Sequence, residues 1–209
     1  KPTIALQRRG VAYVELRSVD INPLEPLGVT VSQLRFLEAI LLFCLLTESP
    51  PFDAEERRMI DDNQMATALT GRDPALVLQC RRVPALPLRH WAEEILEQLQ
   101  PVCELLDMGA EGQLYAAALA EQRAALADPE RTPSARMLAK MRASGENFFR
   151  CAQQLSEQHR RFFESPPLAE ERTQFFTEAA KRSWREQREL EATDDLSFDE
   201  FLNRYFAQE

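Results

Sequence analysis

Residues 13–23 have the sequence YVELRSVDINP, in which Glu15 and Arg17 stand two positions apart in an otherwise apolar run. Because successive side chains of a β-strand point to opposite faces, the alternation over residues 11–19 predicts a strand with two unlike faces. The predicted core face carries three apolar side chains, those of Ala12, Val14 and Leu16. The other face carries a phenol, a carboxylate and a guanidinium, those of Tyr13, Glu15 and Arg17. Charges are costly to bury unpaired, so this second face suits a cleft better than a core.

The sequence that follows ends this strand and then becomes helical. Pro23 and Pro26 cannot continue a ladder, and Gly28 permits a turn. Thr30 and Gln33 form a capping-box pattern that predicts a helix start. Further helical patterns cover residues 53–70, 88–108, 111–126, 133–143, 146–165, 168–192 and 197–207, whereas residues 75–87 suit a strand or an extended loop. The sequence thus predicts an α+β fold, a mostly helical body with one N-terminal strand and one or two further short strands.

Composition limits the classes of function. The 209 residues are 44% hydrophobic and carry a formal net charge of −9, which disfavours nucleic acid and anionic membrane as partners. The most apolar run, residues 36–46, is shorter than the roughly 20 residues that span a bilayer. Four scattered cysteines and two histidines argue against a zinc site or a disulfide framework and indicate a reducing, cytoplasmic setting. A chain that starts without Met and almost at once in a strand is expected to be a fragment.

The specific signal is the run RGVAYVELRSVDINPLEPLGV (residues 9–29), followed by RFLEAILLFCLL (residues 35–46). This run resembles the bacterial type of glutamate–cysteine ligase, also called γ-glutamylcysteine synthetase, in its carboxy-terminal portion. TPSARML (residues 132–138) and GRDP (residues 71–74) resemble two shorter signatures of that family. The resemblance implies a glutamine-synthetase-like antiparallel sheet. Residues 1–29 would supply its last strand and a proline-rich turn, and residues 30–209 a helical body.

The same resemblance implies a function. Enzymes of this family use ATP to join the glutamate γ-carboxylate to the cysteine amine through a γ-glutamyl phosphate, in the first step of glutathione synthesis, with Mg²⁺ between ATP and acidic side chains. On this basis Glu15 would be a metal ligand, Arg17 a catalytic residue on the transferred phosphoryl group, Tyr13 a substrate-binding residue and Arg136 a contact to the nucleotide phosphate. The family's other metal-binding acids, its metal-binding histidine and its cysteine pocket precede this segment. The chain alone is therefore expected to be inactive without the missing N-terminal part of the same enzyme.

Several alternatives stay open at the level of sequence. Glu15 and Arg17 could form a solvated ion pair, Tyr13 could serve packing, and Arg136 could form a salt bridge on a helix surface. Asp20 and Asn22 are expected to shape the turn through Asx hydrogen bonds, and Asn63 and Arg72 are weaker site candidates. The whole chain could instead be a non-catalytic helical interaction module whose strand augments a partner's sheet, or part of a related carboxylate–amine ligase with another amine acceptor.

Overall fold

The computed structural model describes residues 2–17, 19–81, 83, 85–109 and 111–207. In this part the chain forms helices joined by short loops, with a two-stranded antiparallel sheet. The elements in chain order are α1 (Pro2–Arg9), α2 (Val31–Leu46), α3 (Ala54–Thr70), β1 (Val77–Leu78), β2 (Leu86–Pro87), α4 (Leu88–Asp107), α5 (Leu114–Ala127), a 3₁₀ turn (Pro129–Arg131), α6 (Pro133–Ser144), α7 (Phe148–Glu164), α8 (Glu170–Thr193) and α9 (Phe198–Ala207). The predicted fold class, α+β with a mostly helical body, is confirmed.

Two compact units make up the chain. One comprises residues 21–160, and the other combines the described residues of 1–20 and 161–209. Every side chain that is buried in the described part of the chain lies in the unit of residues 21–160. The predicted division at residue 29, between a sheet strand with its turn and a helical body, stays a prediction.

The main core lies between α2, α4 and α5. Six buried residues form it: Ala39, Leu96, Leu99, Val102, Cys103 and Leu119. The spacing of the four that belong to α4 places them on one face of that helix, as the sequence pattern of apolar residues predicts. Leu99 has no exposed surface, and complete burial of a leucine side chain contributes about 1.5–3 kcal/mol to folding. This packing fixes the relative positions of the three helices, two of which, α2 and α5, line the cavity described below.

Helix starts follow local capping chemistry. The backbone N–H of Gln33 donates to Thr30 Oγ1 at 3.0 Å, and the Thr30 N–H donates to Gln33 Oε1 at 2.9 Å, so the predicted capping box of α2 is confirmed. Asp53 accepts from the first N–H groups of α3, and Ser197 caps α9 in the same manner. These bonds satisfy donors that a helix leaves unpaired at its first turn.

The start of α5 is capped by another helix. Gln113 occupies its N-cap position without a side-chain bond, and the carboxylate of Asp107 at the end of α4 takes its place. Asp107 accepts from the N–H groups of Tyr115 and Ala116, both at 2.9 Å. These backbone donors lower the pKa of the Asp107 carboxyl against the opposing effect of desolvation. Asp107 therefore holds the α4–α5 hairpin closed.

The segment of residues 75–87, for which the sequence allows a strand or an extended loop, contains two short strands joined by a loop. Val77 pairs with Pro87, and Leu78 pairs with Leu86, in a short antiparallel ladder. Asn63 on α3 ties this hairpin down, since its amide donates to the Gln79 carbonyl at 2.8 Å and accepts from the Gln79 N–H at 2.9 Å. Asn63 thus has a structural role at this hairpin, and its weaker candidacy as a site residue stays a prediction.

The predicted N-terminal strand is wrong for the described residues. Residues 11–17 have no strand assignment, and their backbone forms no hydrogen bond with another described residue. The predicted core face is exposed as well, at 67% for Val14 and 49% for Leu16. The physical reason is that a strand exists only through its ladder, and the described chain places no second strand beside this one. Helix α1 precedes this segment and was not predicted.

Helix α2 is apolar but only 16 residues long. In the described part of the chain, no helix combines the length and the apolar character that crossing a membrane requires.

Candidate functional site

Glu15 and Arg17 form an ion pair on an exposed segment. Arg17 Nη2 donates to Glu15 Oε2 at 2.7 Å, with 80% of the arginine side chain and 56% of the glutamate side chain exposed. An ion pair this exposed contributes little to stability, because water screens the attraction and two side chains lose freedom. Both charges are accessible to a ligand from solvent. The geometry therefore fits a solvated pair and also a ligand-binding pair.

Tyr13 lies on the same segment and is 81% exposed. Its side chain has no hydrogen bond or ring contact among the described residues. Packing within this chain, the structural alternative for Tyr13, therefore does not account for it. Residues 13–17 present a phenol, a carboxylate and a guanidinium together to solvent.

Asn22 shapes the turn that follows, as the sequence predicts. Its Oδ1 accepts from the Leu24 N–H at 3.1 Å, and its backbone N–H donates to the Gly28 carbonyl at 2.8 Å. Gly28 has φ +73°, and a Cβ there would lie 3.0 Å from Ile21 Cγ2, so a side chain would be strained on both counts. Asn22 is nevertheless 96% buried, which is unusual for a turn amide. Asp20 is exposed and has no described partner.

Arg136 lies in the first turn of α6, whose N-cap Thr132 accepts from the Ala135 N–H. Its side chain is exposed and has no hydrogen bond or ion pair within the described part of the chain, so the alternative of a helix-surface salt bridge is not formed there. Arg136 lines a cavity of about 620 Å³, here called the polar cavity. Its polar lining includes Asn22, Gln33, Glu121, Glu130, Arg131 and Arg136.

Sequence reasoning missed Arg131 in this cavity. Arg131 ends the 3₁₀ turn just before the α6 cap, and it too has no described ion-pair partner. Glu121 of α5 lines the same cavity and accepts from Ser32 Oγ of α2 at 2.5 Å. The only local sequence signal for a role of Arg131 is its position directly before TPSAR (residues 132–136). Nothing in the pattern shows that residues 22, 33, 121 and 131 converge.

The residues present do not form a complete metal site. No group of three or more His, Cys, Asp or Glu side chains suited to a metal ion occurs among the described residues. Mg²⁺ is usually held by one or two carboxylates together with phosphate oxygens and waters. Glu15 offers one accessible carboxylate of this kind, so it fits as a single ligand and no more.

The structure brings some of the predicted site residues together. Tyr13, Glu15 and Arg17 share one exposed segment, whereas Arg136 belongs to the unit of residues 21–160. Arg72 lies 3.9 Å from Glu130, from Nη1 to Oε1. The two candidate regions are thus the exposed segment of residues 13–17 and the polar cavity.

Comparison with known proteins shows which family this chain resembles. Residues 1–67 match the sequence model of the glutamate–cysteine ligase family. A glutamate–cysteine ligase from Azotobacter vinelandii is 45% identical over 207 residues, which are 99% of this chain. The predicted resemblance to glutamate–cysteine ligase is confirmed. A Pseudomonas aeruginosa glutamate–cysteine ligase is 44% identical over 207 residues, and one from Bordetella bronchiseptica is 41% identical over 208 residues.

The three-dimensional comparison agrees. The crystal structure of a glutamate–cysteine ligase from Francisella tularensis in complex with AMP matches all of this chain with a TM-score of 0.89 and 27% identity. The chain covers 41% of that structure and spans 39% of the length of the curated glutamate–cysteine ligases it matches. Residues 13–23 lie inside the segment that the family's sequence model matches, and Arg136 lies outside it.

Proposed function

We propose that this chain is part of an ATP-dependent ligase that joins the γ-carboxylate of glutamate to the amine of cysteine through a γ-glutamyl phosphate. This reaction is the first step of glutathione biosynthesis. The observation that carries the proposal is the 45% identity to a glutamate–cysteine ligase along 99% of this chain. The AMP in the Francisella tularensis relative supports ATP as the co-substrate, since AMP contains the base, the ribose and the α-phosphate of ATP.

The charges on residues 13–17 suit this reaction. Transfer of a phosphoryl group to a carboxylate brings two anions together, so neutralisation and positioning provide most of the catalysis. In our proposal Arg17 leaves Glu15 and holds the phosphoryl oxygens with its planar guanidinium. Glu15, freed from Arg17, is one ligand of Mg²⁺, which when bound neutralises phosphate charge. Tyr13 lines the substrate pocket beside them.

The remaining parts of the active site come from outside the described residues in this proposal. The resemblance places the other metal-binding acids, the metal-binding histidine and the cysteine pocket in sequence that precedes this chain, so this chain alone is expected to be inactive. The rest of the ligase is then the partner of this chain, and it also supplies the sheet on which residues 11–17 become a strand. The exposed Val11 and Val14 and the unpaired backbone of this segment support that pairing. We place the enzyme in the cytoplasm, with glutamate, cysteine and ATP as its substrates.

The test uses the ligase that contains this chain. Glu15→Gln and Arg17→Lys should each lower the rate of γ-glutamylcysteine formation by at least about 100-fold, the usual cost of removing one preorganised charge contact. The product is measured by mass spectrometry at saturating glutamate, cysteine and MgATP. Glu171→Gln and Arg172→Lys are matched controls, because both residues are exposed and have no described side-chain partner.

Two results would contradict the proposal at different levels. Wild-type rates in the Glu15 and Arg17 variants would remove these residues from the site and leave the reaction in place. Absence of γ-glutamylcysteine with the unaltered enzyme, with another amine acceptor in its place, would instead point to a related ligase.

A further inference from the structure

The unit that combines residues 1–20 and 161–209 has no core among its described residues. None of its described side chains is buried, although α8 alone is 24 residues long. An amphipathic helix of a folded protein derives most of its stability from burial of its apolar face. Within the described part of the chain, α8 and α9 therefore lack the packing that such helices normally have.

Helix α8 has an apolar face that is exposed. Phe176, Ala179 and Leu190 share this face, because the distances between them along the chain correspond to about one and three helical turns. Phe175 lies at its edge, and the rings of Phe175 and Phe176 meet edge to face with their centroids 5.4 Å apart. Phe175, Phe176 and Leu190 are each more than half exposed. The face thus presents two aromatic rings and a leucine to solvent.

The opposite face of α8 is charged, and its charges pair with one another. Lys181 Nζ donates to Glu178 Oε1 at 2.9 Å. This hydrogen bond, and to a smaller degree the charge of Arg185, lowers the pKa of the Glu178 carboxyl. A helix that faces water on all sides has no need of this separation. The charged face suits solvent, and the aromatic face suits a partner.

Helix α9 has the same division into two faces. Phe198, Phe201, Leu202 and Tyr205 follow the spacing of one helix face, and the rings of Phe201 and Tyr205 stack with their centroids 6.1 Å apart. Phe198 and Phe201 are both more than half exposed. Single exposed apolar residues are common on protein surfaces, whereas regular apolar faces on two helices of one unit indicate an interface.

The relatives indicate what covers these faces. The curated glutamate–cysteine ligase from Azotobacter vinelandii matches 99% of this chain, yet the match is only 39% of its length, which leaves about three fifths of that enzyme outside the match. The Francisella tularensis ligase matches the whole chain, α8 and α9 included, over 41% of its own length. Both matches are thus to one part of a larger protein.

We propose that the apolar faces of α8 and α9 dock on an apolar surface of the portion of the ligase that precedes this chain. The proposal rests on the proposed function for the existence of that portion. Residues 11–17 belong to the same unit, so one occupant satisfies their unpaired backbone as well as both apolar faces. A second copy of this chain is disfavoured, because docking would bring together two net charges of −9.

The experiment uses the complete ligase polypeptide that contains this chain, with Phe176 replaced by the photoreactive analogue benzoylphenylalanine. Irradiation should attach position 176 to a residue of the preceding portion, located by mass spectrometry of the digested product. Dilution should leave the yield of this link unchanged, because a contact within one polypeptide does not depend on concentration. The same analogue in place of Glu189, an exposed residue on the charged face of α8, is the matched control and should give no such link.

A second variant tests α9. Phe201→Ala in the complete ligase should lower the Tm by at least about 3 °C, because it removes an aromatic ring from a buried interface. Asn203→Ala is the matched control, since Asn203 is exposed on the opposite face of the same helix. Its Tm should lie within about 1 °C of the wild-type value.

Several results would overturn the proposal. These are a link from position 176 only to α9 or to a second copy, no link from position 176, equal links from positions 176 and 189, or an unchanged Tm of Phe201→Ala. Neither measurement depends on turnover, so failure of the proposed function is seen separately. A protein that shows the link but forms no γ-glutamylcysteine keeps the docking surface and loses the function, whereas an active ligase without the link keeps the function alone.

Discussion

At the scale of single residues, Asp53 shows how one carboxylate serves both a helix end and an ion pair. It caps α3 and accepts a hydrogen bond from Arg81. The Arg81 hydrogen bond, together with the backbone donor at Glu56, lowers the pKa of Asp53 from 3.8 to about 2. Since the folded-state pKa lies below the ordinary value, the resulting stability is present above pH 4 and is lost as the pH falls toward 2.

The lowered pKa of Asp53 predicts how the stability of the Asp53→Asn variant depends on pH. Asparagine still caps a helix, so the substitution removes mainly the charge that pairs with Arg81. Thermal melting should give a higher Tm for the wild type than for the variant at pH 7. This difference in Tm should shrink between pH 4 and pH 2. Asp195→Asn, at an exposed aspartate without a described partner, should melt like wild type at every pH. A margin for Asp53→Asn that stays constant to pH 2 would rule out the charge as its source.

Residue roles were predictable from sequence where they depend on near neighbours. The caps by Thr30, Asp53 and Ser197 are of this kind, because donor and acceptor lie within three positions. The cap of α5 by Asp107 and the cationic pair of Arg131 and Arg136 depend on how elements pack. The sequence pattern of one element does not show which residues of another element will pack against it.

At the scale of elements, Pro101 lies inside α4 without ending it. A proline at this position predicts a kink or a division of the helix; the division is wrong, because the structure has one helix from Leu88 to Asp107. Proline lacks the N–H that would bond to the Glu97 carbonyl, and its ring crowds the preceding turn. The packing of Leu99, Val102 and Cys103 on both sides of Pro101 holds the helix together against this cost.

Pro101→Ala should therefore stabilise the protein. The side chain is exposed, so little packing is lost, and the free energy of unfolding should rise by about 2 kcal/mol after the added freedom of the unfolded chain is subtracted. Urea unfolding followed by circular dichroism measures the change. Gln98→Ala, at an exposed position one turn earlier, should differ from wild type by less than about 0.5 kcal/mol. Equal or lower stability of Pro101→Ala would mean that the backbone at this position prefers the proline.

Helices and strands were predictable from the sequence when their backbone hydrogen bonds form within the element itself. The helices from α2 to α9 follow from apolar spacing and caps, and each satisfies its own backbone. The strand expected at residues 11–19 needs a partner for every N–H and C=O, and the described chain supplies none. The alternation of apolar and polar residues there indicates that the segment has two different faces. It does not indicate whether a second strand lies beside it.

At the scale of the whole molecule, the sequence predicted a helical body but not its division. The described residues of 1–20 and of 161–209 form one unit, although the 140 residues of 21–160 separate them in the sequence, and no local signal reports this. The polar cavity has the same origin, since Asn22, Gln33 and Glu121 come from separate elements. Local patterns fix the elements, and long-range packing fixes which of them share a site.

Two buried cysteines report separately on the two apolar clusters of residues 21–160. Cys103 belongs to the large cluster between α2, α4 and α5, and burial raises the pKa of its thiol. Cys151 belongs to a cluster with two other buried residues, Met137 and Leu155. Less buried apolar surface gives a lower free energy of local opening. The small cluster should therefore open before the large one.

Maleimide labelling in rising urea, mapped by mass spectrometry, measures this order. Cys44 is exposed and should react in the native protein, Cys151 at intermediate urea and Cys103 last. Leu155→Ala should lower only the urea concentration at which half of Cys151 is labelled, and Leu99→Ala only the corresponding concentration for Cys103. Each substitution removes about 2–5 kcal/mol of packing from one cluster. Coincident midpoints for both thiols in wild type and in both variants would show that residues 21–160 unfold as a single cooperative unit.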